Sequence, residues 1–269
     1  MKSASGTAAA DTAQSSRTFR TLARVGYVVL GLVHLIIGAI AISIAVGGGG
    51  GEADQGGAME QISRVPFGAL VLWVIVLGLV ALGAWQITEA FQERDPDTKK
   101  KWARRAKYVG TAFAYFAIGA TALVSALGGS SDSSDSTTSL SATLLSTPGG
   151  VALLVLTGLI VAAVGVAFIV RGIRRDFEKQ LALPGGKVSD GVRILGVVGY
   201  VAKGVAVTIV GALFLITAVT ADPEKAGGLD AALKSLAGLP FGQVILWLVG
   251  AGLAAYGIYC FARARYARL

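Results

Sequence analysis

Three side chains could do chemistry inside the long apolar segments of this 269-residue chain: His34, Tyr115 and Lys203. Lys203 lies in the stretch GYVAKG (199–204), within an apolar run from Ile194 to Val219. A charge at such a position is rare, and where it faces a cavity it serves an ion or proton path. His34 is the single histidine, and an imidazole titrating at about pH 6.5 suits a proton carrier. Its plainer role is a neutral ring bonded to a neighbouring backbone group or to Tyr115. Lys203 also has a plainer role, as an anchor whose amine snorkels to the headgroups. Glu89, at the end of the second apolar run, reads as a solvated helix end. No apolar run contains an acid in its core. The chain has no carboxylate pair, no His-x-x-x-His, no phosphate-binding glycine loop and no nucleophile beside a base. Its one cysteine, Cys260, excludes an intrachain disulfide and a cysteine-rich metal site. The expectation is a protein that is no enzyme, with no catalytic residue, no metal and no cofactor.

The elements that hold these residues follow from composition. Hydrophobic residues make up 54% of the chain and charged ones 15%, with a mean hydropathy of +0.68. The apolar residues come in six blocks, at 25–46, 67–88, 107–127, 149–170, 192–219 and 242–262, each about 20 residues long, which spans the hydrocarbon as a helix. The fold class expected is an all-α, six-helix polytopic membrane protein. Residues 1–16 are small and polar and read as a disordered tail, extending to residue 20, with no cleavable signal.

Charge sets the orientation. Of 24 basic residues, twenty fall on the side of the termini: four before the first run, seven over 94–107, six over 171–193 and three at the C-terminus. The opposite side carries Arg64, Lys225 and Lys234 beside eight acids. That bias places both termini in the cytoplasm of a cell whose plasma membrane the chain crosses six times. The net charge of +8 is therefore no sign of nucleic-acid binding. The run TKKKWARRAK (98–107) determines topology and could contact anionic lipid headgroups at the cytoplasmic face.

The chain repeats itself three times. Tyr27, Tyr108 and Tyr200 each precede Gly-Ala by eleven residues, at Gly38, Gly119 and Gly211. VPFGALVLWVIVLGLVALG (65–83) matches LPFGQVILWLVGAGLAAYG (239–257), and Pro148, Gly150, Leu154 and Gly165 keep a weaker copy. The repeats span 21–94, 104–175 and 192–265, each a hairpin of two membrane helices, all parallel about an axis along the membrane normal. Each proline suits the first turn of the helix it precedes. Glu60/Arg64 and Asp230/Lys234 are i,i+4 pairs on short half-helices ahead of it. The glycines at 47–51 and the stretch GGSSDSSDSTTS (128–139) read as flexible linkers. Tyr27, Gly31, His34 and Gly38 share one helix face, repeated by Tyr108, Tyr115 and Gly119 and by Tyr200, Gly204 and Gly211. Small residues there let helices approach closely.

The pairing of GYVAKG in an odd helix with PFG opening an even one resembles a family of actinobacterial membrane proteins, domain of unknown function 1206. That resemblance covers about residues 20–265 and implies three two-helix units but no activity. Leu30 and Thr111 stand at the basic position in copies one and two, and GG replaces FG in copy two. If the repeats share a depth, Lys203 lies six positions beyond the level of Arg24, about 9 Å deep, shallow enough to snorkel. Counted from Arg193 it lies about 15 Å deep instead. The first count is the one expected to hold. The functional expectation is a scaffold or accessory subunit that packs against a membrane-protein partner. The alternative is a small pore or transporter with a polar path along the pseudo-threefold axis, lined by His34, Tyr115 and Lys203.

Overall fold

The computed structural model describes residues 17–48, 51–94, 96–129 and 133–268. Residues 1–16 of the expected disordered tail lie outside these, and residues 17–20 are already helical. Nine α-helices follow among the described residues: α1 (Arg17–Ala45), α2 (Gln55–Ser63), α3 (Gly68–Gln92), α4 (Thr98–Ala126), α5 (Ser133–Ser146), α6 (Gly150–Ile173), α7 (Lys187–Thr220), α8 (Gly228–Ala237) and α9 (Gly242–Tyr266). Six of them, α1, α3, α4, α6, α7 and α9, are long and apolar enough to cross a membrane. The short α2, α5 and α8 each precede an even span.

The serine-rich segment is therefore not a linker throughout: from Ser133 it is helical. Thr137 and Thr143 bond back to the Ser133 and Ser139 carbonyls, at 2.8 and 2.9 Å, so their polar side chains are absorbed by the helix itself. Its composition hid a half-helix equivalent to α2 and α8. Both expected i,i+4 pairs form on those two, Glu60–Arg64 at 2.6 Å and Asp230–Lys234 at 2.7 Å.

The prolines sit in the turn before each even helix rather than in its first turn. In Val65-Pro66-Phe67-Gly68 the Gly68 N–H donates to the Val65 carbonyl at 2.9 Å, and Phe67 has φ 64°. Leu239-Pro240-Phe241-Gly242 repeats this with Phe241 at φ 59°, and Thr147-Pro148-Gly149-Gly150 with Gly149 at φ 79°. Proline second and a positive φ third define a type II turn. Glycine suits the third position, so copy two's GG is the relaxed version and the two phenylalanines are the costly one. Both rings project outward, more than four-fifths exposed.

The helices close into a ring through contacts between repeats. α1 packs on α9, α3 on α4 and α6 on α7, so each even helix meets the odd helix of the next repeat and the last meets the first. Glycines set two of these seams. A Cβ on Gly31 would lie 2.7 Å from the Gly257 carbonyl, and one on Gly38 2.6 Å from that of Gly250. On the α6–α7 seam, Gly204 faces the Gly165 carbonyl at 2.7 Å and Gly211 that of Gly158 at 2.7 Å. Gly119 is less constrained, its nearest neighbour being Leu79 at 3.6 Å.

Within repeats the three copies differ. Gly26 lies against Gly78 in the first, and Gly199 and Gly252 against Tyr256 and Ala202 in the third, so α1 meets α3 and α7 meets α9. At the matching places the second repeat has Lys107 and Ile160, both exposed. α4 and α6 share no extended interface. A flank of the ring is open there, and Phe113 on α4 is 75% exposed.

The end of the ring away from the termini is filled by apolar side chains, among them Val33, Ile37, Leu72, Ile75, Leu79, Leu246 and Leu253, all nearly or fully buried. Asp230 ties the first and third repeats together there: its Oδ1 accepts from the Ala53 N–H at 2.9 Å.

Candidate functional site

The end of the ring nearest the termini is built differently. At two seams an arginine from the end of the even helix covers the tyrosine of the odd helix. Arg263 lies 4.5 Å from the Tyr27 ring and Arg171 5.2 Å from the Tyr200 ring. Such contacts contribute about 0.5–2 kcal/mol each, depending on solvent access. The third equivalent position is Glu89, an acidic neighbour of Tyr108, so the α3–α4 seam has the opposite charge.

A loop then draws the two arginines together. α6 ends at Ile173, Arg175 turns the chain with φ 57°, and a short 3₁₀-helix (Asp176–Gln180) follows. Phe177 plugs into the ring from this loop, fully buried, stacked on Tyr200 with centroids 5.4 Å apart. Its ring occupies the space a side chain at Gly196 would need, 2.5 Å from that Cβ. The loop is clipped to the end of α9, with Ala182 N–H donating to the Tyr266 carbonyl at 2.8 Å and Arg268 N–H to that of Gln180 at 3.0 Å. Gln180 Oε1 thereby accepts from both Arg171, at 2.7 Å, and Arg263, at 2.9 Å. Two cations thus converge on one neutral oxygen.

The nearby acids are engaged elsewhere. Asp176 pairs with Lys179 at 2.5 Å, and Arg193 takes both Glu178, at 3.2 Å, and Asp190, at 3.0 Å. The hydrogen bond from Lys179 lowers the Asp176 carboxyl below its ordinary pKa. Among the described residues no carboxylate lies within ion-pairing distance of Arg171, Arg263, Lys203 or Lys107. Arg171 also keeps a buried Nε–H with no acceptor.

Lys203 does not snorkel. Its Nζ lies 4.4 Å from the centre of the Tyr256 ring and 5.3 Å from that of Phe168. Tyr256 precedes Arg263 by seven residues on α9, so the amine is about 10 Å further from the helix end. The common depth of the repeats holds, since Tyr27 and Tyr200 both lie beneath a helix-end arginine. What turns the amine inward is the pair of ring faces, which solvate a cation without a counter-ion. Tyr256 and Phe168 come from the even helices, and their encounter with Lys203 has no signature in the sequence.

His34 shares this ring: it is buried, 4.8 Å from Tyr256 between centroids. Its Nδ1 is 2.8 Å from the Leu30 carbonyl, which can only accept, so the proton is on Nδ1. Tyr115, half-buried, reaches from α4 to touch all three apolar clusters of the bundle. His34 and Lys203 therefore meet across Tyr256, while Tyr115 stands at the centre from the other side. Cys260 is buried in the same aromatic cluster. Sequence reasoning missed Arg171, Arg263 and Gln180. Their signal was available in the two arginines at matching places in copies two and three.

The fold is that of a multi-pass helical membrane protein made of three tandem two-helix repeats. The chain belongs to the family described as Domain of Unknown Function (DUF1206), which it matches three times, at residues 25–93, 106–175 and 198–267. It is similar to "Uncharacterized protein YxxB" of Bacillus subtilis, 30% identical over 249 residues, which is 90% of this chain and 89% of that protein. The comparisons give no support for restricting the family to actinobacteria. No solved structure matches the chain.

Proposed function

We propose that this is a non-enzymatic protein of the cell membrane, with both termini cytoplasmic, that acts as a scaffold or accessory subunit through helix packing. The observation that carries this reading is the second repeat. α4 and α6 are the least enclosed of the six spans, and Phe113 and Leu159 stay exposed on them while glycine contacts close the other two repeats. Within lipid, apolar side chains gain nothing from leaving the chain's own surface for another's except packing, so such faces suit a shape-matched helix. No metal-binding group of three His, Cys, Asp or Glu side chains occurs among the described residues.

A pore along the pseudo-axis has Lys203 and His34 in its favour. The apolar filling of the other end weighs against it, as do six spans without a break. Photo-crosslinking amino acids at Phe113 and Leu159 in native membranes test the scaffold reading. Discrete adducts with another protein chain are expected, and the absence of any protein adduct at both positions contradicts it.

A further inference from the structure

We propose that the end of the ring nearest the termini, reached sideways through the open flank between α4 and α6, binds the phosphate headgroup of an anionic lipid from the leaflet on the side of the termini. Arg171 and Arg263 are the clamp, and Lys107 and Lys203 supply further positive charge. The argument starts from charge. Both guanidinium groups donate to the single neutral oxygen of Gln180, at 2.7 and 2.9 Å. Lys107 on α4 is close enough to feel both, and Lys203 lies deeper, on Tyr256. Four cations from four spans therefore face one region whose acids are already paired with Lys179 and Arg193. Like charges gathered beside a low-dielectric wall call for an anion.

The donors are shaped for phosphate. A guanidinium has five N–H groups in a planar fork, and Gln180 uses one from each arginine. The Arg171 Nε–H is buried and unanswered, which is costly unless a ligand accepts from it. Two forks held by one loop leave several donors for the oxygens of a phosphate.

The flank favours a lipid over a soluble anion. Lys107 and Ile160 hold the place of the glycines that close the other repeats, so the gap opens sideways to the bilayer. Ile160, 55% exposed, offers its wall to acyl chains below the headgroup. The site shares the open second repeat with the scaffold reading but requires no protein partner, so a failure to find such a partner leaves it standing.

The test is native mass spectrometry of the purified full chain in a non-ionic detergent. The probes are phosphatidylglycerol and phosphatidylcholine of identical acyl chains, with inorganic phosphate as a competitor. Retention of phosphatidylglycerol at least about tenfold above phosphatidylcholine is expected. Arg171→Gln with Arg263→Gln should abolish that preference, and Lys99→Gln with Lys100→Gln, exposed at the start of α4, should leave it intact. Equal retention of the two lipids overturns the proposal. So does a loss confined to the Lys99/Lys100 variant, or displacement of the lipid by phosphate, which would make this a soluble-anion site. Should the double arginine variant fail to fold, Lys107→Gln decides. A drop of at least about threefold in phosphatidylglycerol retention supports the clamp, and unchanged retention overturns it.

Discussion

Replacing Gly38 by alanine tests the seam that joins the last repeat to the first. An added Cβ would lie 2.6 Å from the Gly250 carbonyl oxygen and 2.8 Å from the Ala254 nitrogen, both of them backbone. Carbon–oxygen contacts between packed helices settle at about 3.3 Å or more, so α1 and α9 must move apart by about 0.7 Å. No flexible side chain can absorb that shift, and parting the helices also loosens the neighbouring Gly31–Gly257 contact. Overpacking of this kind costs about 1–3 kcal/mol, against about 1 kcal/mol recovered from the better helix propensity of alanine. Gly110 is the control, since a Cβ there meets nothing within 4 Å. Gly38→Ala should therefore be about 0–2 kcal/mol less stable than wild type and Gly110→Ala up to about 1 kcal/mol more stable, so that the two variants differ by about 1–3 kcal/mol. Denaturation in mixed detergent micelles reads the difference. Equal stability of the two alanine variants would refute the argument from backbone contact.

Three further expectations rest on other contacts. Asp230→Ala leaves the buried Ala53 N–H without its acceptor and should cost about 1–3 kcal/mol in the same assay, whereas Asp230→Asn, which keeps an oxygen, should cost much less. Lys203→Leu strands no counter-ion and should lose no more than about 2 kcal/mol, the worth of the ring contacts. A loss of about 3–5 kcal/mol would instead reveal a buried ion pair. In a Cys260→Ala background, Gln61→Cys should react with a membrane-impermeant maleimide on intact cells and Lys100→Cys should not; the reverse pattern would invert the orientation inferred from charge.

Much of this architecture was written in the sequence, and what was not has physical causes. Apolar runs report helices because backbone polar groups in lipid leave no other choice. The spacing of Tyr27, Gly31 and Gly38 reports a face of α1, but periodicity names no partner for that face. Hairpin connectivity says which helices are joined and not which faces meet: Gly31 and Gly38 meet Gly257 and Gly250 of the last repeat. α5 was hidden because serine and threonine look like linker residues until their hydroxyls turn back onto the helix. The paired arginines were visible only as two members of a basic topology signal. It takes the Gln180 loop, fixed by Phe177 and the clip to Tyr266, to bring their charges together.

The open second repeat underlies both the scaffold reading and the lipid site, and one crosslinking comparison tests it most directly. In membranes containing the Cys260→Ala protein, Lys107→Cys with Ile160→Cys places thiols at the positions where Gly26 and Gly78 touch in the first repeat. Val29→Cys with Gly78→Cys is the positive control, since a Cβ on Gly78 lies 3.5 Å from Val29 Cγ2, a position a cysteine sulfur at 29 can take. Disulfides span Cβ atoms about 3.5–4.5 Å apart. Mild oxidation should join the control pair and leave the Lys107/Ile160 pair free, because α4 and α6 stand apart. Ready formation of a 107–160 disulfide would show the second repeat closed like its neighbours and would contradict the account.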